Sequence, residues 1–160
     1  MQIKVSAKWL NKILLCNAAG IKLCKGKCCN TKGFYPPKSN PNGTGICPHL
    51  TASGCKFTQA QKPLKCLLYP LVITKKGTLV LHGRALTSIC KACYKQGNQT
   101  IAQHLQQNLT EVFGAQITAQ MLASVAQGKD FVFTPSPQVV SQLIIEEQME
   151  KANEVPTERI

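Results

Sequence analysis

A chain of 160 residues carrying a net charge of +12 has room for one domain, or for one domain with a helical appendage. Its 44% hydrophobic content permits a packed core, and no run of about eighteen apolar residues is present to make a membrane-crossing helix. The charge is uneven: residues 1–110 hold fifteen Lys and Arg84 without one acid (+16), while residues 111–160 hold seven acids against Lys129, Lys151 and Arg159 (−4). Carboxylate acid–base chemistry is thereby excluded from the first part. A charge of +16 on a small domain also demands compensation, either by metal-bound thiolates or by an anionic partner.

The first segment, MQIKVSAKWLNKILLCNAAG, has Asn11 and Lys12 inside its apolar run, which is then too short for a secretory leader. Leu14 and Leu15 before Cys16 also make a poor lipoprotein cleavage site. The segment is expected to be amphipathic, with Trp9, Leu10, Ile13 and Leu14 on one face. A protein that is not exported keeps its thiols reduced, and nine cysteines is an odd number, so a disulfide framework is not expected. The expected location is cytoplasmic, or within a virion for a protein of phage origin.

Residues 38–45, KSNPNGTG, read as a loop. A hairpin is predicted with strands Leu71–Thr74 and Leu79–His82 around a Lys75-Lys76-Gly77 turn. All nine cysteines precede residue 94, which places a boundary near Gly97, with a cysteine domain at 1–97 and a helical part at 98–160. In that second part, Ile101, Leu105, Leu109, Val112 and Phe113 share a helix face that Gly114 can end. Ile117, Met121, Leu122 and Val125 predict a second helix stopped by Gly128. Phe131–Phe133 is a short strand or an extended link. A third helix follows, with Ser136 as its cap and Pro137 at its first position. The expected class is α+β: a small, loop-rich, metal-stabilised cysteine domain with a short hairpin, then helices.

The cysteines after Cys16 fall as Cys24-x3-Cys28-Cys29, Cys47-x7-Cys55-x10-Cys66 and Cys90-x2-Cys93. The Cys90–Cys93 separation lets two sulfurs reach one metal while the backbone between them turns, and Cys24 and Cys28 can do the same. A tetrahedral thiolate site or an iron–sulfur cubane each needs four such ligands. The eight cysteines Cys24, Cys28, Cys29, Cys47, Cys55, Cys66, Cys90 and Cys93 therefore supply two four-sulfur sites, or one site and several structural thiols. Cys16 has no near partner and reads as a small buried apolar residue. Surrounding lysines favour the thiolate form, which binds metals and is also the reactive one.

Read together, the segments CKGKCC, CPHLTASGCKF, KPLKCLLYPL and CKAC resemble the YkgJ-type cysteine-cluster family of zinc- or iron-chelating domains. The matching positions are Cys24, Cys28 and Cys29, then Cys47, Pro48, Leu50, Gly54 and Cys55, then Lys62, Pro63, Cys66, Tyr69 and Pro70. The resemblance spans roughly residues 23–97. It implies zinc or an iron–sulfur cluster as the cofactor. Lys62 and Leu67 stand where the family has arginines, and the Cys55–Cys66 gap is about one residue longer, so a function resting on those arginines does not carry over. One branch resembles flagellin lysine methylases with an iron–sulfur centre, but this chain is too short for that enzyme.

The chain has three histidines. His49 follows Cys47-Pro48 and is available as a fourth zinc ligand, but His49, His82 and His104 each lack a carboxylate partner near in sequence and read as solvated or packed. No nucleophile–base pair and no phosphate-binding glycine loop stand out, so an enzyme acting alone is disfavoured. Lys22, Lys25, Lys27, Lys32, Lys56, Lys62 and Lys65 crowd the cysteine segments and are the expected contacts to an anionic macromolecule, nucleic acid or acidic protein. Trp9, Phe34, Tyr35, Phe57, Tyr69 and Tyr94 are available to stack on bases. The leading expectation is a metal-binding cysteine-cluster protein with a basic surface and a structural metal. Its rivals are a nucleic-acid-binding zinc module, an iron–sulfur redox component, and a structural subunit of a larger assembly such as a phage particle, joined to like or unlike copies through the C-terminal helices.

Overall fold

The computed structural model describes residues 1–13, 49–51, 54–81 and 99–151. Along these the chain forms β1 (Ile3–Val5), α1 (Ala7–Leu10), β2 (Leu50–Thr51), β3 (Gly54–Cys55), a 3-10 turn (Gln59–Gln61), α2 (Leu64–Leu68), β4 (Leu71–Ile73) and β5 (Thr78–Leu81). Then follow α3 (Ile101–Phe113), α4 (Ala115–Ala126), β6 (Phe131–Phe133) and α5 (Pro137–Lys151). The class is α+β. No helix among the described residues is long and apolar enough to cross a membrane.

Four strands make a mixed sheet in the order β4-β5-β1-β6. β1 runs parallel to β5, pairing Lys4 with Thr78 and Val5 with Leu79. On its other side it runs antiparallel to β6, pairing Ile3 with Phe133 and Val5 with Phe131. β4 and β5 form the antiparallel hairpin expected from the sequence, with Leu71 opposite Leu81 and Ile73 opposite Leu79. Alternation then sorts the faces: Ile3, Val5, Leu71, Leu79, Leu81 and Phe133 are buried beneath the helices. Lys4 points the other way and meets Asp130 at 3.2 Å.

The three C-terminal helices form where the apolar period places them. Thr100 caps α3 reciprocally: its hydroxyl accepts the Gln103 N–H at 3.1 Å, and Gln103 Oε1 accepts the Thr100 N–H at 2.9 Å. Ile101, Leu105 and Leu109 recur along α3 and are buried against the sheet, where Met121 and Val125 of α4 join them. Gly114, at φ +85, ends α3 and opens α4. Phe113 then packs edge-on against Phe133, ring centroids 5.0 Å apart. Within α4, Thr118 is buried, and its hydroxyl has no hydrogen-bond partner among the described residues. Ser136 accepts the Val139 N–H at 3.4 Å at the start of α5, as the Ser-Pro pattern predicts.

The N-terminal segment departs from the sequence expectation. Among the described residues its helical part is Ala7–Leu10, and an unforeseen strand, β1, precedes it. Leu10 is buried and Trp9 packs at the core edge, but Ile13 is 44% exposed and bridges to Thr100. Two groups fasten the short helix. Asp130 Oδ1 accepts the Ala7 N–H at 3.0 Å, and Asn11 Nδ2 donates to the Val125 carbonyl at 2.9 Å. The Ala7 N–H and the Lys4 ammonium hold the Asp130 carboxyl below its ordinary pKa. Residues on both sides of position 97 thus build one sheet and one core.

The β4–β5 turn depends on a glycine. Gly77 has φ +75, and a Cβ added there would fall on the Gln2 carbonyl oxygen well inside contact distance. Its own carbonyl accepts the Lys4 N–H at 2.8 Å, so the close approach belongs to the β1–β5 pairing itself. Gly77→Ala is expected to lower the unfolding free energy by roughly 1–3 kcal/mol, read by chemical denaturation, because strain and a displaced β1 combine. Gly128→Ala, where the same construction meets open space, is expected to cost less.

Candidate metal centre

The described part of the cysteine region is a chain of short elements. β2 and β3 pair antiparallel, Leu50 opposite Cys55 and Thr51 opposite Gly54. The Lys56 N–H donates to the His49 carbonyl at 2.7 Å and extends the pairing by one step. In this register His49 lies opposite Lys56, one residue out of phase with Cys55. The His49 ring packs on Phe57 with centroids 3.9 Å apart. Cys55 is exposed at the end of β3.

From there the chain turns back toward the core. Gln61 Oε1 accepts the Thr58 N–H at 3.1 Å and the Thr58 hydroxyl at 3.0 Å, closing the 3-10 turn. Pro63 then starts α2: its carbonyl accepts the N–H groups of Cys66 at 2.9 Å and Leu67 at 3.1 Å. α2 buries Leu64, Leu67 and Leu68, while Cys66 is half-buried. Neither Cys55 nor Cys66 is part of a disulfide. The Tyr69–Pro70 peptide bond after α2 is cis.

One side chain on α3 anchors this run of chain. Asn108 Nδ2 donates to the Leu67 carbonyl at 2.8 Å, and Asn108 Oδ1 accepts from Gln59 Nε2. Gln59 also accepts from the Lys62 ammonium at 3.2 Å. The 3-10 turn and α2, which flank Cys66, are therefore both tied to one position of α3. A second tie lies at the N-terminus of that helix, where Ile13 bridges Thr100 and the Ile101 N–H donates to the Lys12 carbonyl at 2.8 Å.

Of the eight expected ligands, Cys55 and Cys66 are described, whereas Cys24, Cys28, Cys29, Cys47, Cys90 and Cys93 lie outside the described residues, as do Cys16 and His82. Among the described residues, no three His, Cys, Asp or Glu side chains come together to hold a metal. Of the expected anion contacts, Lys56 is exposed and Lys62 and Lys65 are half-buried; Lys22, Lys25, Lys27 and Lys32 lie outside the described residues.

A basic cluster that the sequence reading did not single out surrounds Trp9. The Lys8 ammonium sits 5.0 Å and the Lys12 ammonium 5.3 Å from the indole centroid. Both lysines were visible in AKWLNK. What the pattern lacked was the end of the helix at Leu10, which brings Lys12 back over the ring.

His104 lies on α3 one turn before Asn108 and is half-buried. Burial lowers its pKa below the ordinary histidine value, so the folded state holds it neutral. The unfolded chain takes up that proton first, so His104 costs nothing well above its unfolded pKa and destabilises the fold progressively as pH falls below it. Stability is expected to decline between about pH 7 and pH 5, and His104→Gln is expected to flatten that decline in denaturation curves at several pH values.

Compared with family models, curated proteins and solved structures, the chain has no match.

Proposed function

We propose that this is a metal-binding cysteine-cluster protein, holding zinc or an iron–sulfur centre and presenting a basic surface to an anionic partner. The observation that carries this reading is the cysteine spacing, with the pairs Cys24-x3-Cys28 and Cys90-x2-Cys93 separated by Cys47, Cys55 and Cys66. The neighbouring fold supports it physically. β2 and β3 have two residues each, too few to hold their places by burial alone. A bound metal would supply the missing cohesion, which makes its role structural. Cys55 and Cys66 would contribute sulfur from the β3 end and from the helix anchored by Asn108.

The anion reading follows from charge. A metal–thiolate centre offsets only part of the +16 carried by residues 1–110, since four thiolates on a divalent ion leave about −2 per site. Asp130, the first acid after Glu111, is occupied by Lys4 and the Ala7 N–H. A second reading, a subunit of a larger assembly, is favoured by Ile144 and Ile145, which stand exposed on α5.

Purification without oxygen followed by elemental analysis tests the metal. At least one zinc, or iron with matching sulfide, is expected per chain, and a brown chromophore distinguishes iron–sulfur from colourless zinc. Cys55→Ser and Cys66→Ser are each expected to reduce the bound metal. A natively folded chain with all nine thiols reactive and no metal would overturn the reading.

Filter binding of DNA and RNA across a salt series tests the partner. Retention is expected to fall by roughly 0.7–0.9 log units per log unit of salt for each phosphate contacted. Replacing Lys25, Lys27 and Lys65 with Gln is expected to make that slope shallower while leaving the metal content unchanged. If neither nucleic acid is retained at low salt, the nucleic-acid version is overturned and a protein or lipid partner is to be sought.

A further inference from the structure

The β4 edge of the four-stranded sheet, free among the described residues, has its own chemistry. Among the described residues β4 has one neighbour, β5. The Thr74 N–H donates to the Thr78 carbonyl at 2.9 Å, so that pair is a hydrogen-bonded one. Alternation along an antiparallel ladder then makes Val72 and Val80 the next such pair. Leu71 and Ile73 consequently direct their N–H and C=O groups away from β5, toward the open side.

A groove of about 190 Å³ follows this side. Leu71, Val72 and Ile73 all line it. Consecutive strand residues point to opposite faces, so a groove that touches all three runs along the edge and not across one face. Its other walls are Leu64, Lys65 and Leu68 of α2 and Val140, Leu143 and Ile144 of α5, which starts beside β6 at the opposite edge and so crosses the width of the sheet to reach it. Met1 and Ile144, 56% and 49% exposed, stand at the rim. The charged residues lining the groove are Lys65 and Lys75, with no acid among them.

We propose that this groove docks an extended segment of a partner protein, apolar at alternate positions and acidic between them, which adds to β4 as a fifth strand. Edge groups without a partner strand among the described residues supply main-chain hydrogen bonds, the apolar walls take alternate side chains, and the exposed Lys75 selects acidic residues. A second copy of this chain fits less well. Antiparallel pairing of two β4 strands would bring Lys65 and Lys75 of both copies together, in chains of net charge +12. The proposal depends on neither metal nor nucleic acid.

The test uses the full chain and a panel of fluorescent eight-residue peptides. Each is apolar at every second position, with either glutamate or lysine at the others. The glutamate peptides are expected to bind at least ten-fold more tightly than the lysine ones by anisotropy. Lys75→Glu is expected to reverse or abolish that preference, and Ile144→Asp to weaken all binding at least five-fold. Hydrogen exchange at the Leu71 and Ile73 amides is expected to slow when peptide binds. Absence of binding, equal binding of both peptide classes, or unchanged exchange at those two amides would overturn the proposal. So would a peptide-free dimer in which the same amides are already protected, since the occupant would then be a second copy.

Discussion

β1 gives the sheet its continuity. Its three residues supply two of the most deeply buried side chains, Ile3 and Val5, and lend both edges to pairing. Take β1 away and β4–β5 becomes an isolated two-stranded hairpin, which is marginal in water. β6 then has no partner, and the floor on which α3 and α4 rest is broken. The close seat of Gly77 against Gln2, the Asp130 carboxylate on the Ala7 N–H and the Asn11 bond to Val125 all keep β1 and α1 in place. Strand pairing, turn geometry and helix anchoring thus converge on the first dozen residues.

That arrangement also governs where charge can go. Lys4 is the outward residue of β1, and its partner Asp130 comes from the acidic half of the chain. The bond joins parts of opposite net charge across the sheet. The next lysines in the chain, Lys8 and Lys12, lie over Trp9, with no acid against them among the described residues. An aromatic ring can moderate an ammonium charge but does not neutralise it. The first part of the chain therefore keeps a positive field even where its side chains are well engaged.

Legibility in the sequence followed element length. α3 and α4 announce themselves through Ile101, Leu105, Leu109, Met121 and Val125, because several turns of consistent period outweigh local noise. The β4–β5 hairpin was legible from Lys-Lys-Gly between two apolar runs, and Ser136-Pro137 marked the start of α5. β1 was not, since Ile-Lys-Val is one apolar alternation and gains its meaning from partners more than seventy residues away. α2 was hidden for a related reason: its five residues, Leu64–Leu68, carry too little period to declare a helix, and contacts that hold it lie on α3. At the candidate centre, the cysteine spacing and the lysine excess were plain in the sequence. The role of Asn108 was not, because an asparagine on a helix gives no local sign of which carbonyl it will meet.

The position of β1 has a consequence for the order of events during synthesis. Its antiparallel partner ends at Phe133, so the sheet cannot close until the chain has been made well past that residue. Every cysteine has left the ribosome by then, the last of them, Cys93, about forty residues earlier. At roughly 5–20 residues per second, that leaves a window of about 2–8 s in which all the thiols are present and the core is not. A metal, chaperone or oxidant that arrives within that window meets the thiols on an open nascent chain.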